Sequence, residues 1–136
     1  MLVALIFTVA LLVTTAYFLM GSVPLLTLKH DTPVDARFIR SFFNTYYLAA
    51  MFTAAATSVS CAFAGQPVFA VGAAALAILA VALRAKVIPQ MDRLRDQLQA
   101  EHAGAIAAFR RIHRTAILIN LAQLVLVVWG LTRFSL

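Results

Sequence analysis

The side chains best suited to chemistry form a polar stripe on the last apolar segment of the chain. His113, Asn120 and Gln123 stand seven and three residues apart, so they share nearly one azimuth on an α-helix. Polar groups in hydrocarbon face the interior of a bundle or a wet cavity, because an unsatisfied amide there is costly. The stripe predicts either interhelical hydrogen bonding or a ligand site in which His113 titrates or ligates.

Three more polar residues stand at the start of the second apolar segment, at a comparable depth. Asn44, Tyr46 and Tyr47 complete a pocket with His113 and Asn120 in one interpretation. Such a pocket would hold a quinone, a haem, a metal or a small lipophilic molecule. In the other interpretation these residues fix helix register by hydrogen bonding, and the tyrosines anchor the helix at the membrane interface.

Motifs for metal binding or nucleophilic catalysis do not occur in the sequence. The histidines, His30, His102 and His113, match no recognised ligand spacing, and neither H-E-x-x-H nor C-x-x-C is found. We therefore predict no metal motif, although folding could still bring His30 and His113 together. Cys61 is the single cysteine and is interpreted as a small packing residue. No G-x-S-x-G motif or phosphate-binding glycine loop indicates an enzyme.

Four apolar segments must position these side chains. About 20 apolar residues in a helix cross a ~30 Å hydrocarbon core, and the predicted spans cover residues 2–23, 42–64, 68–88 and 113–132. The chain is 63% hydrophobic and only 12% charged, against about 25% charged in soluble domains. The sequence predicts an all-α integral membrane four-helix bundle, with residues 1–136 as a single domain. The first span is expected to be retained, because no basic residue precedes it.

The charges predict the orientation of the bundle. All but one of the 11 Lys and Arg residues lie between spans one and two or between spans three and four, when Arg84, Lys86 and Arg114 at the adjoining ends of spans three and four are included, and all 5 acidic residues accompany them. By the positive-inside rule, these basic loops are cytoplasmic and both termini are periplasmic, in a bacterial inner membrane. The net charge of +6 is thereby explained by topology, and we expect lipid rather than nucleic acid as its partner.

Two further patterns concern packing. The second span repeats a small residue every four positions at Ala50, Ala54, Ser58 and Ala62, which predicts close approach of a neighbouring helix. The short turn after residue 63 predicts that this neighbour is the third span. Between Arg84 and Arg114, apolar residues recur with helical spacing among charges, which predicts an amphipathic cytoplasmic helical extension between helices three and four. Pro89 allows a kink or a new helix start there, and Gly104 a break.

Short segments near the basic loops resemble a known family. They are Gly21–Pro24, Ala36–Phe43 with Tyr46 and Tyr47, Val87–Pro89 with Arg93–Asp96, and Phe109–Arg114 with Asn120. Together they resemble the four-helix family related to transmembrane protein 205, a bacterial membrane domain of unknown function. The resemblance implies a fold and a topology and no catalytic residues. A weaker similarity, to anthrone-oxygenase-like small membrane proteins, rests on a Pro-x-x-x-x-Leu segment before a late Arg/His helix and implies a cofactor-poor oxygenase.

These observations lead to two hypotheses of different classes. In the first, the chain is a non-catalytic accessory or interaction subunit of a membrane complex, or a small homo-oligomer. Its small-residue stripes would serve lateral association, and its charged cytoplasmic extension would serve docking. In the second, it is a membrane enzyme or carrier that binds a ligand in the pocket around His113 and Asn120.

Overall fold

The computed structural model describes residues 1–133, and these form four α-helices without any strand. The helices are α1 (Leu2–Leu25), α2 (Pro33–Phe63), α3 (Pro67–Gln99) and α4 (Ala105–Thr132). Each helix is long and apolar enough to span a membrane, so the predicted all-α four-helix architecture is confirmed. Residues 134–136 of the predicted domain lie outside the described residues.

The four helices pack in a ring. α2 packs most extensively against α3, α1 lies against α2 and α4, and α3 closes the ring against α4. The turn between α2 and α3 is tight, since Gly65 adopts a φ of 72° and the Gln66 amide donates to the Cys61 carbonyl at 2.9 Å. Glycine adopts this left-handed conformation without a steric penalty, which ends α2 and reverses the chain. The predicted α2–α3 hairpin is therefore present.

Three helices extend well past the predicted spans at one end of the bundle, which we call the basic end (residues 29–41 and 84–114). α2 begins at Pro33, because Thr32 caps it by accepting a hydrogen bond from the Asp35 amide at 3.2 Å. The segment that carries Arg37 and Arg40 is therefore helix rather than loop. α3 has 33 residues, or about 50 Å at 1.5 Å per residue, and exceeds a ~30 Å hydrocarbon core.

The amphipathic extension between helices three and four is confirmed. α3 continues through Pro89 as one helix, while Gly104, with a φ of 81°, separates it from α4. The apolar positions Met91, Leu98 and Phe109 point inward and are buried. They pack in one core with the first turns of α2, so the extension is part of the bundle and not a separate solvated hairpin.

Charged side chains join the helices across the basic end. Arg40 on α2 donates to both carboxylate oxygens of Asp92 on α3, at 3.1 and 3.2 Å, and Arg95 lies 3.5 Å from the same carboxylate. Such two-pronged guanidinium–carboxylate contacts restrict geometry as well as adding attraction. All three side chains remain partly exposed, so the ion pairs orient the helix ends more than they stabilise the fold.

Small residues fill the other end, which we call the neutral end and which holds the start of α1, the end of α4 and the α2–α3 turn. Ala54 and Cys61 are buried, and the Ser58 hydroxyl donates to the Ala70 carbonyl of α3 at 2.8 Å. Ala50 is buried as well, whereas Ala62 is exposed. The predicted small-residue stripe thus faces the interior over most of its length, and Cys61 is a packing residue there.

We predict that Gly21→Ala lowers the thermal stability of the detergent-solubilised protein by about 1–2 kcal/mol, as overpacking does elsewhere. A β-carbon at Gly21 would lie 2.8 Å from Cζ of Phe42 and 3.1 Å from its Cε2. The Phe42 ring contacts Phe18 at 5.0 Å and Phe43 at 5.9 Å between centroids, so moving it away from the added carbon would disturb both contacts.

Gly72→Ala is the matched control, because a β-carbon at Gly72 meets no atom within 4 Å. We expect its melting temperature to equal or slightly exceed the wild-type value, since alanine favours the helix. Equal melting temperatures for the two variants would contradict a close α1–α2 contact at Gly21.

Candidate functional site

Three of the predicted site residues form one hydrogen-bonded group, which we call the amide cluster (Tyr46, Asn120 and Gln123). The Tyr46 hydroxyl lies 2.9 Å from Oδ1 of Asn120 and 2.6 Å from Oε1 of Gln123. All three side chains are buried. Because α4 carries both amides on one face, as their spacing predicted, a single tyrosine on α2 reaches both. The cluster ties α2 to α4 across the ring.

The single proton of the Tyr46 hydroxyl determines how this cluster is bonded. It can serve only one of the two amide oxygens, and the shorter distance assigns it to Gln123. The NH₂ group of Asn120 then donates a hydrogen bond to the tyrosine oxygen. For this, the Asn120 side-chain amide is rotated by half a turn, so that its nitrogen and oxygen exchange positions. The rotation gives Nδ2 of Asn120 a hydrogen-bond partner, whereas without it Nδ2 is buried and has none in the described chain.

His113 does not join the amide cluster but pairs with His30. Nε2 of His30 lies 2.8 Å from Nδ1 of His113, and both side chains have 0% exposure. Aromatic rings enclose the histidine pair, with Phe43 edge-on to His113 at 5.4 Å and Phe109 at 5.9 Å from His30. The fold therefore brings together the two histidines that the sequence left open as a joint site.

His30 reaches this position through a strained loop conformation. Its φ of 61° lies in the left-handed region, which a residue with a β-carbon enters at a cost of about 1–2 kcal/mol. Arg110, one turn before His113 on α4, donates to the Lys29 carbonyl at 3.2 Å and so holds the loop against α4. The loop between α1 and α2 is thus fixed at two neighbouring residues, Lys29 and His30.

The two imidazoles have unused hydrogen-bonding capacity. In a neutral pair one facing nitrogen donates and the other accepts, so one hydrogen lies between the rings. The Leu28 and Ser22 backbones lie beside His30 and His113, yet the outer nitrogens, Nδ1 of His30 and Nε2 of His113, are buried and make no well-formed hydrogen bond in the described part of the chain. The same holds for Nε of Arg110. Unpartnered buried nitrogens are rare and costly, and they mark this pair as the candidate functional site.

Burial of His30 lowers its pKa below the ordinary value of 6.5. The positive charge of Arg110 also lowers it, whereas the Leu28 backbone, beside the ring but without a well-formed hydrogen bond, raises it. Asp35 raises this pKa and Arg114 lowers it, both more weakly. The surroundings therefore favour neutral His30 around neutral pH.

The remaining predicted residues lie outside both groups. Asn44 accepts a hydrogen bond from Nε of Arg84 at 3.1 Å in an exposed position between α2 and α3. Tyr47 is buried and packs between Phe43 and Tyr46, at 6.1 and 5.3 Å between centroids. His102 is exposed beyond the end of α3. Asn44 and Tyr47 thus support helix contacts and do not reach His113 or Asn120.

Space beside the amide cluster is small. A cavity of about 10 Å³ lies between Tyr46, Gln123 and apolar residues of α1 and α3, which is the room that one water molecule requires. Within residues 1–133, no three His, Cys, Asp or Glu side chains come together as a metal site would require. Sequence reasoning did not identify Arg110 as a support for the pair. The only feature of the sequence that pointed to Arg110 was its position one helical turn before His113.

Four spans around a buried polar interior define the molecule as a multi-pass integral membrane protein of the four-helix class. Comparison with known proteins adds no closer identity. No protein-family model, no curated protein and no solved structure matches the chain. The functional argument therefore rests on the geometry of this molecule.

We predict that Tyr46→Phe destabilises the protein by about 1–2 kcal/mol, because it leaves the amides of Asn120 and Gln123 without their shared partner. Thermal unfolding in detergent measures this change. Tyr17→Phe is the matched control, since Tyr17 is 68% exposed and its hydroxyl has no hydrogen bond within the described chain. A Tyr46→Phe variant as stable as this control would show that the cluster contributes nothing to the fold.

Proposed function

We propose that the protein is a non-catalytic accessory or interaction subunit that associates laterally with another membrane protein or with copies of itself. The observation that carries this proposal is the outward surface of α3. Only 11% of its most apolar 18-residue window is buried inside the bundle, the smallest share among the four helices. In lipid, such a surface is available to a further helix.

The residues on this surface suit close helix contact. Gly72, Ala75, Leu79 and Ala82 follow one line along α3, which we call the α3 outer face. The glycine and both alanines are exposed, and Leu79 is 37% exposed. Small residues let helix backbones approach, and van der Waals fit is the main source of helix association in lipid. A partner helix would pack along this line.

The basic end supports the same proposal from outside the membrane. Arg93, Gln97, Arg111 and Arg114 are exposed there on a scaffold held by the Arg40–Asp92 contact and its neighbours. A rigid charged surface steers and orients an acidic partner more than it adds affinity. We place this end in the cytoplasm and the termini in the periplasm of a bacterial inner membrane, on the evidence of the charge distribution.

Kinship with the family related to transmembrane protein 205 is part of this proposal. It is supported by the segments that carry the resemblance, among them Phe109–Arg114, which contains His113 of the histidine pair and Arg110. Membership of that family would imply that this protein has the same membrane topology as the other members.

We predict that Ala75→Leu with Ala82→Leu reduces recovery of the associated partner, or of the homo-oligomer, roughly tenfold or more, because the larger side chains separate the helix backbones. The measurement is quantitative mass spectrometry and sizing of the tagged protein extracted from its native membrane in mild detergent. A second protein in stoichiometric amount identifies a subunit role, and a larger species of this chain alone identifies a homo-oligomer.

Ala122→Leu is the control, because Ala122 is also exposed, but on α4. It should leave recovery unchanged. A wild-type protein recovered as a lone monomer, or equal recovery from both leucine variants, would refute association through the α3 outer face.

A second candidate function, a membrane carrier or enzyme, is favoured by the histidine pair. A proton that arrives at Nδ1 of His30 would push the shared hydrogen from His30 Nε2 to His113 Nδ1 and release the proton on His113 Nε2. This exchange balances without any other reactant. It would pass one proton through two buried rings whose outer nitrogens make no well-formed hydrogen bond in the described chain.

We predict that the stability of the wild-type protein is constant at alkaline pH and falls as the pH drops below about 6.5. The lowered pKa of His30 means that the folded protein binds fewer protons there than the unfolded chain, whose histidine keeps the ordinary value of 6.5. Thermal unfolding between pH 8 and pH 5 measures this dependence. In His30→Gln, the free energy of unfolding should decrease less for each unit by which the pH falls, which is a smaller slope.

His102→Gln is the control, because His102 is an exposed histidine, and it should keep the wild-type slope. A flat wild-type profile, or an unchanged slope in His30→Gln, would exclude the pair as a titrating site. A visible chromophore or one metal ion per chain, lost in His113→Ala, would instead identify a ligand of the pair.

A further inference from the structure

A groove on the outside of the bundle runs between α1 and α2 towards the basic end. Its volume is about 390 Å³, and it is lined by Tyr17 and Phe18 of α1 and by Phe38, Ser41, Phe42 and Thr45 of α2. This volume lies within the range of about 300–1,000 Å³ that is usual for small-molecule sites. The aromatic rings form an apolar floor, so the occupant must have a hydrocarbon part.

The hydroxyl groups in this groove differ from the others in the helices. Ser41, Thr45 and Tyr17 form no hydrogen bond in the described chain, although a helical Ser or Thr normally donates to the carbonyl four residues earlier. The hydroxyls that do so are those of Thr8, Thr15, Thr53, Thr57, Ser60 and Thr115. Among residues 1–133, the other helix hydroxyls without a hydrogen bond are those of Thr14, which lies one turn further along the groove side of α1, and of Tyr47, which is buried on α2.

Unbonded hydroxyls beside hydrocarbon favour a ligand that brings acceptors with it. Each hydroxyl can donate one hydrogen bond. Ser41 lies at the basic end, but at the depth of Thr45 and Tyr17, inside the predicted spans, there is no bulk water to accept it. A ligand with oxygen acceptors near one end and an apolar remainder satisfies both the hydroxyls and the aromatic floor.

A free positive charge stands at the end of the groove. Arg37 precedes Ser41 by one helical turn and Thr45 by two, and it is exposed. In contrast with Arg40 and Arg95, it forms no ion pair within the described residues. At about 1.5 Å per residue, Ser41 lies ~6 Å and Thr45 ~12 Å along the axis from Arg37. On α2, the order from the basic end inward is therefore cation, hydroxyl and hydroxyl, with Phe38 and Phe42 lining the groove beside them.

We infer that this groove binds one glycerophospholipid in a fixed register. Arg37 contacts the phosphate, the Ser41 and Thr45 hydroxyls donate to the ester carbonyl oxygens, and an acyl chain lies along Phe42 and Phe18 towards Tyr17. A phospholipid has its phosphate ahead of its ester carbonyls, just as Arg37 stands ahead of Ser41 and Thr45, and its acyl chain suits the aromatic rings beside them. A quinone has carbonyl acceptors but no anion to pair with Arg37.

A lipid in the groove would also affect the contact between α1 and α2. Phe42 closes the floor of the groove and is also the residue that meets Gly21 of α1. Phe18 stacks on Phe42 at 5.0 Å and on Tyr46 of the amide cluster at 5.3 Å. A lipid held in the groove thus packs against side chains that join α1 to α2, and it would stabilise this contact by binding the folded state.

Native mass spectrometry of the protein in mild detergent tests the inference. We expect one phospholipid per wild-type chain to survive delipidating washes. In Arg37→Gln with Ser41→Ala and Thr45→Val, we expect its affinity on re-addition of phosphatidylglycerol to fall roughly tenfold or more, since a phosphate contact and two hydrogen bonds are lost. Arg93→Gln with Thr115→Val is the control, because it removes an exposed arginine and an exposed hydroxyl elsewhere, and it should retain the lipid.

A second measurement locates the acyl chain without relying on retention. Tyr17→Trp in a Trp129→Phe background places a single fluorophore at the inner end of the groove. Phosphatidylglycerol brominated far along its acyl chain should quench it more than the same lipid brominated near the glycerol. Equal quenching at both depths, equal lipid affinity in the triple variant and wild type, or a retained quinone in place of phospholipid would each overturn the inference.

Discussion

Asn120 and Gln123 lie in a stretch of α4, residues 116–131, that is otherwise apolar, at a depth where no bulk water competes for their hydrogen bonds, so they must bond within the protein. Tyr46 provides their common partner on α2. Most Ser and Thr hydroxyls of the helices are satisfied within their own helix, because they donate to a backbone carbonyl of the preceding turn. The arrangement of α2 and α4 follows from this requirement, because only one rotation of each helix lets the three side chains meet.

Packing differs between the two ends of the bundle. Alanine, serine and cysteine line the interior at the neutral end, so α2 and α3 approach closely there. Aromatic and larger aliphatic residues fill the basic end. Large side chains hold helices further apart and leave room for other groups between them. The loop that carries His30 enters this wider end, and the groove between α1 and α2 opens beside it.

The basic end contains the histidine pair, on which the second candidate function depends. His30 accepts a strained backbone conformation, and Arg110 and His113 hold it in place. Strain of this kind persists only where surrounding contacts determine it. The α3 outer face and the α1–α2 groove lie on other surfaces of the ring, so association with a partner and binding of a lipid do not compete for the same residues.

The sequence alone determined the four spans, because hydropathy and charge are local properties that decide which segments leave water. Helical spacing also predicted the apolar side of the basic extension and the shared face of Asn120 and Gln123. Only the tertiary structure decided that His113 pairs with His30 across 83 residues and that Asn44 turns to Arg84. Those contacts depend on a loop conformation and on helix rotations, which no local pattern encodes.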